Sequence, residues 1–112
     1  MNMLDVIRDY YVARNLKVPT FDDAMKFVQT ELGEVYELDL ARIGGYTRNN
    51  PENKPIYSKE EMGKEIGDTI MMLEVAGEIE GVDALQSLLT KLGEKVGKEY
   101  RVEFKIIENG DY

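Results

Sequence analysis

Apolar and polar residues recur at helical spacing along nearly the whole chain. From about Leu4 to about Leu16, the positions Val6, Ile7, Tyr10, Tyr11 and Val12 give a first amphipathic helix, which Lys17-Val18-Pro19 breaks. Thr20 is a good N-cap and Asp22 and Asp23 suit a helix N-terminus, so a second helix is expected from about Phe21 to about Ile43. Its apolar stripe holds Ala24, Phe27, Val28, Val35 and Leu38, with Glu31 near the middle. Gly44-Gly45 ends it, and Tyr46 to Tyr57, with two prolines and three asparagines, reads as a loop. That loop is long for a helix connection, which usually takes about 2 to 8 residues.

Ser58-Lys59-Glu60-Glu61 matches a capping box, Ser58 at the N-cap and Glu61 at N3. The third helix then runs to about Glu80 and stops at Gly81. Met62, Thr69, Met72, Val75, Ala76 and Ile79 form its stripe together with Glu65 and Asp68, while Glu74 and Glu78 are expected to face away. Asp83 can cap a fourth helix from about Ala84 to about Tyr100, buried through Leu85, Leu88, Leu89, Leu92 and Val96. Gly93 and Gly97 would allow a close helix–helix approach, and Val102 to Ile107 fits either a helical extension or a short strand. The expected fold is an all-α four-helix bundle, one domain over residues 1–112.

Composition narrows the chemistry. With 112 residues and 43% hydrophobic positions the chain can bury a core, but a domain this small gains from self-association. A net charge of −8 argues against general nucleic-acid binding, which needs a basic face. The absence of Cys and His removes thiol nucleophiles, imidazole acid–base chemistry and Cys/His zinc sites. Metal ligands must then be oxygens, which favour Mg²⁺, Mn²⁺ or Ca²⁺. No segment resembles a signal peptide or a membrane span, so the expected location is the cytoplasm.

Against this background two acidic patterns stand out, Glu31-Leu32-Gly33-Glu34 and Glu65-Ile66-Gly67-Asp68. Each puts two carboxylates on one side of a helix, inside an apolar stripe. Carboxylates drawn toward a core are costly unless a cation meets them. If the second and third helices pack antiparallel, Glu31, Glu34, Glu65 and Asp68 converge. A divalent metal there would bridge carboxylates and phosphates and lower the pKa of a bound water. Glu34 or Glu37 is placed to orient or deprotonate that water, and Lys91 and Lys95 are candidates to neutralise charge on a phosphate leaving group. Phe21 and Tyr46, near helix ends, are the better candidates to stack on a base. The plainer alternative is a set of solvated helix charges, with Gly33 and Gly67 either tolerated or making room for ions or a neighbouring helix.

The segment Glu31-Leu32-Gly33-Glu34-Val35-Tyr36-Glu37, followed by Glu65-Ile66-Gly67-Asp68, resembles the signature of MazG-like all-α nucleoside triphosphate pyrophosphohydrolases. That signature is Glu-Glu-x-x-Glu, a linker, then Glu-x-x-Asp, and the likeness spans roughly residues 20 to 95. The resemblance implies two or three Mg²⁺ ions (Mn²⁺ as a substitute) on Glu31, Glu34, Glu65 and Asp68. It implies cleavage of a nucleoside triphosphate between the α and β phosphates, giving a monophosphate and pyrophosphate, in nucleotide-pool control. It also implies a homodimer or homotetramer completing a shared helical bundle.

Three positions depart from the family pattern. Thr30 stands where the first Glu of the doublet is expected, the linker is longer, and Lys95 replaces an Asn on the last helix. Thr30 and Lys95 keep a second reading open, a non-catalytic helical oligomer that binds a nucleotide or a protein partner.

Overall fold

The computed structural model describes residues 1–43 and 56–108. Four α-helices and no strand occur among the described residues: α1 Met3–Ala13, α2 Phe21–Arg42, α3 Lys59–Ile79 and α4 Ala84–Val96. The chain divides into two compact units, one of Thr20–Leu73 and one of Met1–Pro19 with Glu74–Tyr112. α3 contributes its first turns to the former and its last turns to the latter.

In the Thr20–Leu73 unit, α2 begins where expected because the Thr20 hydroxyl accepts from the Asp23 N–H at 3.1 Å. It ends one residue early, with Ile43 as its C-cap. Ser58 Oγ accepts from the Glu61 N–H at 3.0 Å and starts α3. The Arg42 guanidinium lies 5.2 Å from the centre of the Tyr57 ring. The end of α2 therefore meets the beginning of α3, and the two helices run antiparallel. Ala24, Val28, Leu38, Thr69 and Met72 are the buried side chains of this unit. Phe27, expected in the α2 stripe, is instead half exposed at 50%.

In the other unit, α1 starts with a reciprocal cap that the sequence reading missed. The Asn2 side chain accepts from the Asp5 N–H and Asp5 accepts from the Asn2 N–H, both at 2.9 Å. α1 stops at Ala13, short of Leu16, and Asn15 follows in a left-handed conformation (φ 50°). Leu4 and Ile7 are its buried residues, whereas Val12 lies in the open. Leu4 and Ile7, with Val75 and Ala76, make up the buried apolar set here.

Glu74 corrects the expectation that it faces away. It is only 2% exposed, and its carboxylate accepts the N–H groups of Ala84 at 3.2 Å and Leu85 at 2.5 Å. Those are two of the orphan donors at the start of α4, whose N-cap Asp83 accepts from Gln86. Burial pushes the Glu74 carboxyl up, the two N–H bonds pull it back, and the charge of Asp83 adds to the rise. Glu78 is likewise engaged, paired with Arg8 at 2.5 Å.

α4 ends at Val96 rather than Tyr100. Gly97 takes a left-handed C-cap (φ 66°) that most residues resist. Gly93 serves a close approach, but to the chain's own tail and not to another helix: a Cβ there would collide with the Lys98 carbonyl. The tail that follows is held by Gln86 Nε2 donating to the Tyr100 carbonyl and by the Phe104 N–H donating to the Met1 carbonyl. Val102 to Ile107 is thus neither helix nor strand.

Candidate metal centre

The antiparallel pairing of α2 and α3 brings the two acidic patterns together. Glu31 lies seven residues from both Ala24 and Leu38 and three from Val28, so it shares the buried side of α2 with them. Glu65, four residues from Thr69 and seven from Met72, does the same on α3. Both are half-buried, while Glu34 and Asp68, three residues further along each helix, are exposed. One oxygen from each of Glu31, Glu65 and Asp68 lies within 4.8 Å of the others.

The electrostatics of this cluster are unfavourable as they stand. Oε2 of Glu31 and Oε2 of Glu65 are shut off from solvent, and as ionised groups they find no donor. Among the described residues no lysine, arginine or N-terminus forms an ion pair with any of the four carboxylates. The nearest lysine in sequence, Lys64, is directed to Glu60 at 3.5 Å and Glu61 at 3.6 Å. A hydrogen bond between Glu34 and Glu65, which two carboxylates can form only by sharing a proton, raises the pKa of Glu65 to about 7. Burial and the charges of Glu34, Asp68 and Glu31 act in the same direction. Glu31 is raised as well, first by burial and then by Glu34.

A proton or a cation relieves such a cluster. The donors are all carboxylate oxygens, the set that hard divalent cations prefer. Ligands of one Mg²⁺, at roughly 2.0–2.1 Å from the ion, lie about 3 to 4.2 Å apart. The three converging oxygens, all within 4.8 Å of one another, are on that scale.

The other sequence candidates stand as follows. Glu37 is half-buried three residues beyond Glu34 and is not one of the three whose oxygens converge. Phe21, the first residue of α2, is 42% exposed. Lys91 and Lys95 are exposed on α4, in the unit that does not contain the carboxylates. Tyr46 lies outside the described residues. Thr30 supplies no ligand: its hydroxyl donates to the Lys26 carbonyl of its own helix at 3.3 Å. A Cβ at Gly33 or Gly67 would meet no atom within 4 Å, so no close approach among the described residues requires glycine at either position.

In comparisons with known proteins, no family model, curated protein or solved structure matches this chain. Among the described residues no helix is long and apolar enough to cross a membrane.

Proposed function

We propose that this chain is a Mg²⁺-dependent hydrolase that cleaves a nucleoside triphosphate between its α and β phosphates, releasing a monophosphate and pyrophosphate. The observation that carries the reading is the convergence of Glu31, Glu65 and Asp68, with two carboxylate oxygens buried and without a donor. Mg²⁺ bound there supplies a positive centre for phosphate oxygens and acidifies a water. The chain's own residues set the geometry. Glu31 and Glu65 are the inner ligands, fixed by their place on the buried sides of α2 and α3. Asp68 and Glu34 are the outer ones, reachable by substrate. Glu34 or Glu37 orients the attacking water and takes its proton. Phe21 and Tyr46 are proposed contacts for the base, while Lys91 and Lys95, which belong to the other unit, stay phosphate candidates on the resemblance alone. The working form in this reading is a cytoplasmic homo-oligomer.

A panel of standard and modified nucleoside triphosphates with Mg²⁺, analysed for products, tests the reaction. Equimolar monophosphate and pyrophosphate supports it; diphosphate and inorganic phosphate, or no turnover on any member, refutes it.

The engagement of Thr30 with its own helix favours a second reading, in which the site holds metal and nucleotide without turnover. Calorimetry with Mg²⁺ and a nonhydrolysable triphosphate separates the two, since binding without product formation selects the second.

A further inference from the structure

Where α1 ends beside the last turns of α3 lies a cavity of about 340 Å³ that the proposed reaction does not use. It belongs wholly to the unit of Met1–Pro19 and Glu74–Tyr112 and shares no residue with the carboxylate cluster. Ile7 and Val75, both buried, line it, and Tyr11 follows Ile7 by four residues on the same side of α1. The rest of the apolar wall comes from the way α1 stops. Asn15 turns left-handed, its N–H donates to the Val12 carbonyl at 3.1 Å, and the Leu16 N–H donates to the Tyr11 carbonyl at 2.9 Å. This Schellman turn brings Leu16 back to line the cavity together with Tyr11, and Val18 follows. Tyr10, edge-on to Tyr11 at 6.0 Å and 75°, orients the Tyr11 ring.

The polar groups of the cavity are few and specific. Arg8 Nε donates to Glu78 Oε1 at 2.5 Å, so the two charges answer each other. Among the described residues, Glu78 Oε2, the Tyr11 hydroxyl and the Asn15 side-chain amide form no hydrogen bond. Burial first, then Tyr10 and Glu78, raise the pKa of Tyr11, so its hydroxyl keeps its proton and can donate. An acceptor, a donor and an amide thus border apolar walls, the composition of a small-molecule site.

Size and charge choose the occupant. The volume is at the small end of the ligand-pocket range and suits a bicyclic ring of about ten to fifteen heavy atoms. Along α1 the lining reaches only from Ile7 to Val12, about 8 Å at 1.5 Å per residue. A docked helix, anchored at i, i+4 and i+7, needs about 10 Å of groove. The pairing of Arg8 with Glu78 leaves little for a charged ligand to gain.

We infer that this cavity binds a neutral, flat aromatic molecule of lactam type, which presents an N–H to Glu78 and a carbonyl to the Tyr11 hydroxyl while its rings cover Leu16 and Val18. The inference goes beyond the proposed hydrolysis and does not rest on it. An occupant would join the end of α1 to the end of α3 and stabilise that unit by mass action.

The test titrates the whole metal-free chain with 2-quinolinone, followed by backbone amide NMR. N-methyl-2-quinolinone, which lacks the donor, and quinoline-2-carboxylate, which is an anion, serve as comparison probes. The expected result for 2-quinolinone is saturable binding with a dissociation constant below about 1 mM and shifts centred on residues 7–18 and 75–78. Both comparison probes, and Tyr11→Phe with 2-quinolinone, should bind at least about fivefold more weakly, the worth of one hydrogen bond. Val12→Arg, a change at a position 81% exposed and so of little consequence for folding, should weaken binding as well. Absence of saturation by about 5 mM, or shifts centred on other residues, overturns the inference. Equal affinity for the three probes, or wild-type affinity in helical Tyr11→Phe and Val12→Arg, also overturns it, leaving an unselective apolar cleft. Because no Mg²⁺ or nucleotide enters the experiment, its failure is distinct from failure of the proposed reaction.

Discussion

Glu65 and Glu74 are carboxylates nine residues apart on the same helix, both drawn in from solvent, and they meet opposite surroundings. Glu74 receives two backbone N–H groups from the start of α4, so its charge is answered by a helix terminus. Glu65 receives no donor on its buried oxygen and faces three further carboxylates. Burial alone thus does not mark a functional acid. What separates the two is whether the fold itself provides the positive partner. Where it does, as at Glu74, the acid fastens one helix to the next. Where it does not, as at Glu65, the charge is left for a proton or, in the reading proposed above, a cation to answer.

The largest effect expected from this contrast is on turnover. Asp68→Asn should lower monophosphate production by at least about 100-fold, the scale on which loss of a group that stabilises transition-state charge is felt, while helicity is retained. A steady-state assay checks this, and a variant within a few-fold of wild type would erase the functional side of the comparison. Glu74→Ala should act the other way round. It strands two N–H groups of α4 and should cost about 2–3 kcal/mol in urea unfolding, yet leave the cation-induced melting shift of the folded protein in place.

The third expectation concerns pH without added metal. The pKa of Glu65 is raised in the folded state, to about 7 from the 4.5 of a free glutamate, so the metal-free fold takes up a proton that the unfolded chain does not hold between those values. Its contribution to stability is present in full below about pH 4.5 and is lost as pH rises through about 7. Unfolding followed across pH 5 to 8 should therefore show Glu65 weakening the metal-free protein toward high pH. Glu65→Gln should flatten that trend, and saturating Mg²⁺ should oppose it. The smallest effect belongs to Thr30→Val. With its hydroxyl bonded only to its own helix, the change should stay within about 0.5 kcal/mol in stability and about two-fold in activity.

Much of this was legible in the sequence where local chemistry decides. Thr20, Ser58 and Asp83 act as N-caps as their residue types require, and the i, i+3 spacing of the acidic pairs put them on matching sides of two helices. The cap at Asn2 and Asp5 had a readable signal, an acceptor followed three residues later by another, and Gly97 was an available stop for α4. Glu74 was not legible. Its helical angle points away from the apolar stripe, and only the turn through Gly81-Val82-Asp83 lays the start of α4 over it. The same limit applies to Phe27. Helical spacing gives the apolar positions but not which of them another part of the chain will cover.

The most direct test of the contrast is calorimetric titration of the whole protein with Mg²⁺ and Mn²⁺ at pH 7.5, beside Glu65→Gln and Glu74→Gln. The account predicts saturable binding in wild type, loss of at least tenfold in affinity in Glu65→Gln, and near-wild-type affinity in Glu74→Gln. Equal affinity in wild type and Glu65→Gln, or no saturable binding in wild type, would contradict it.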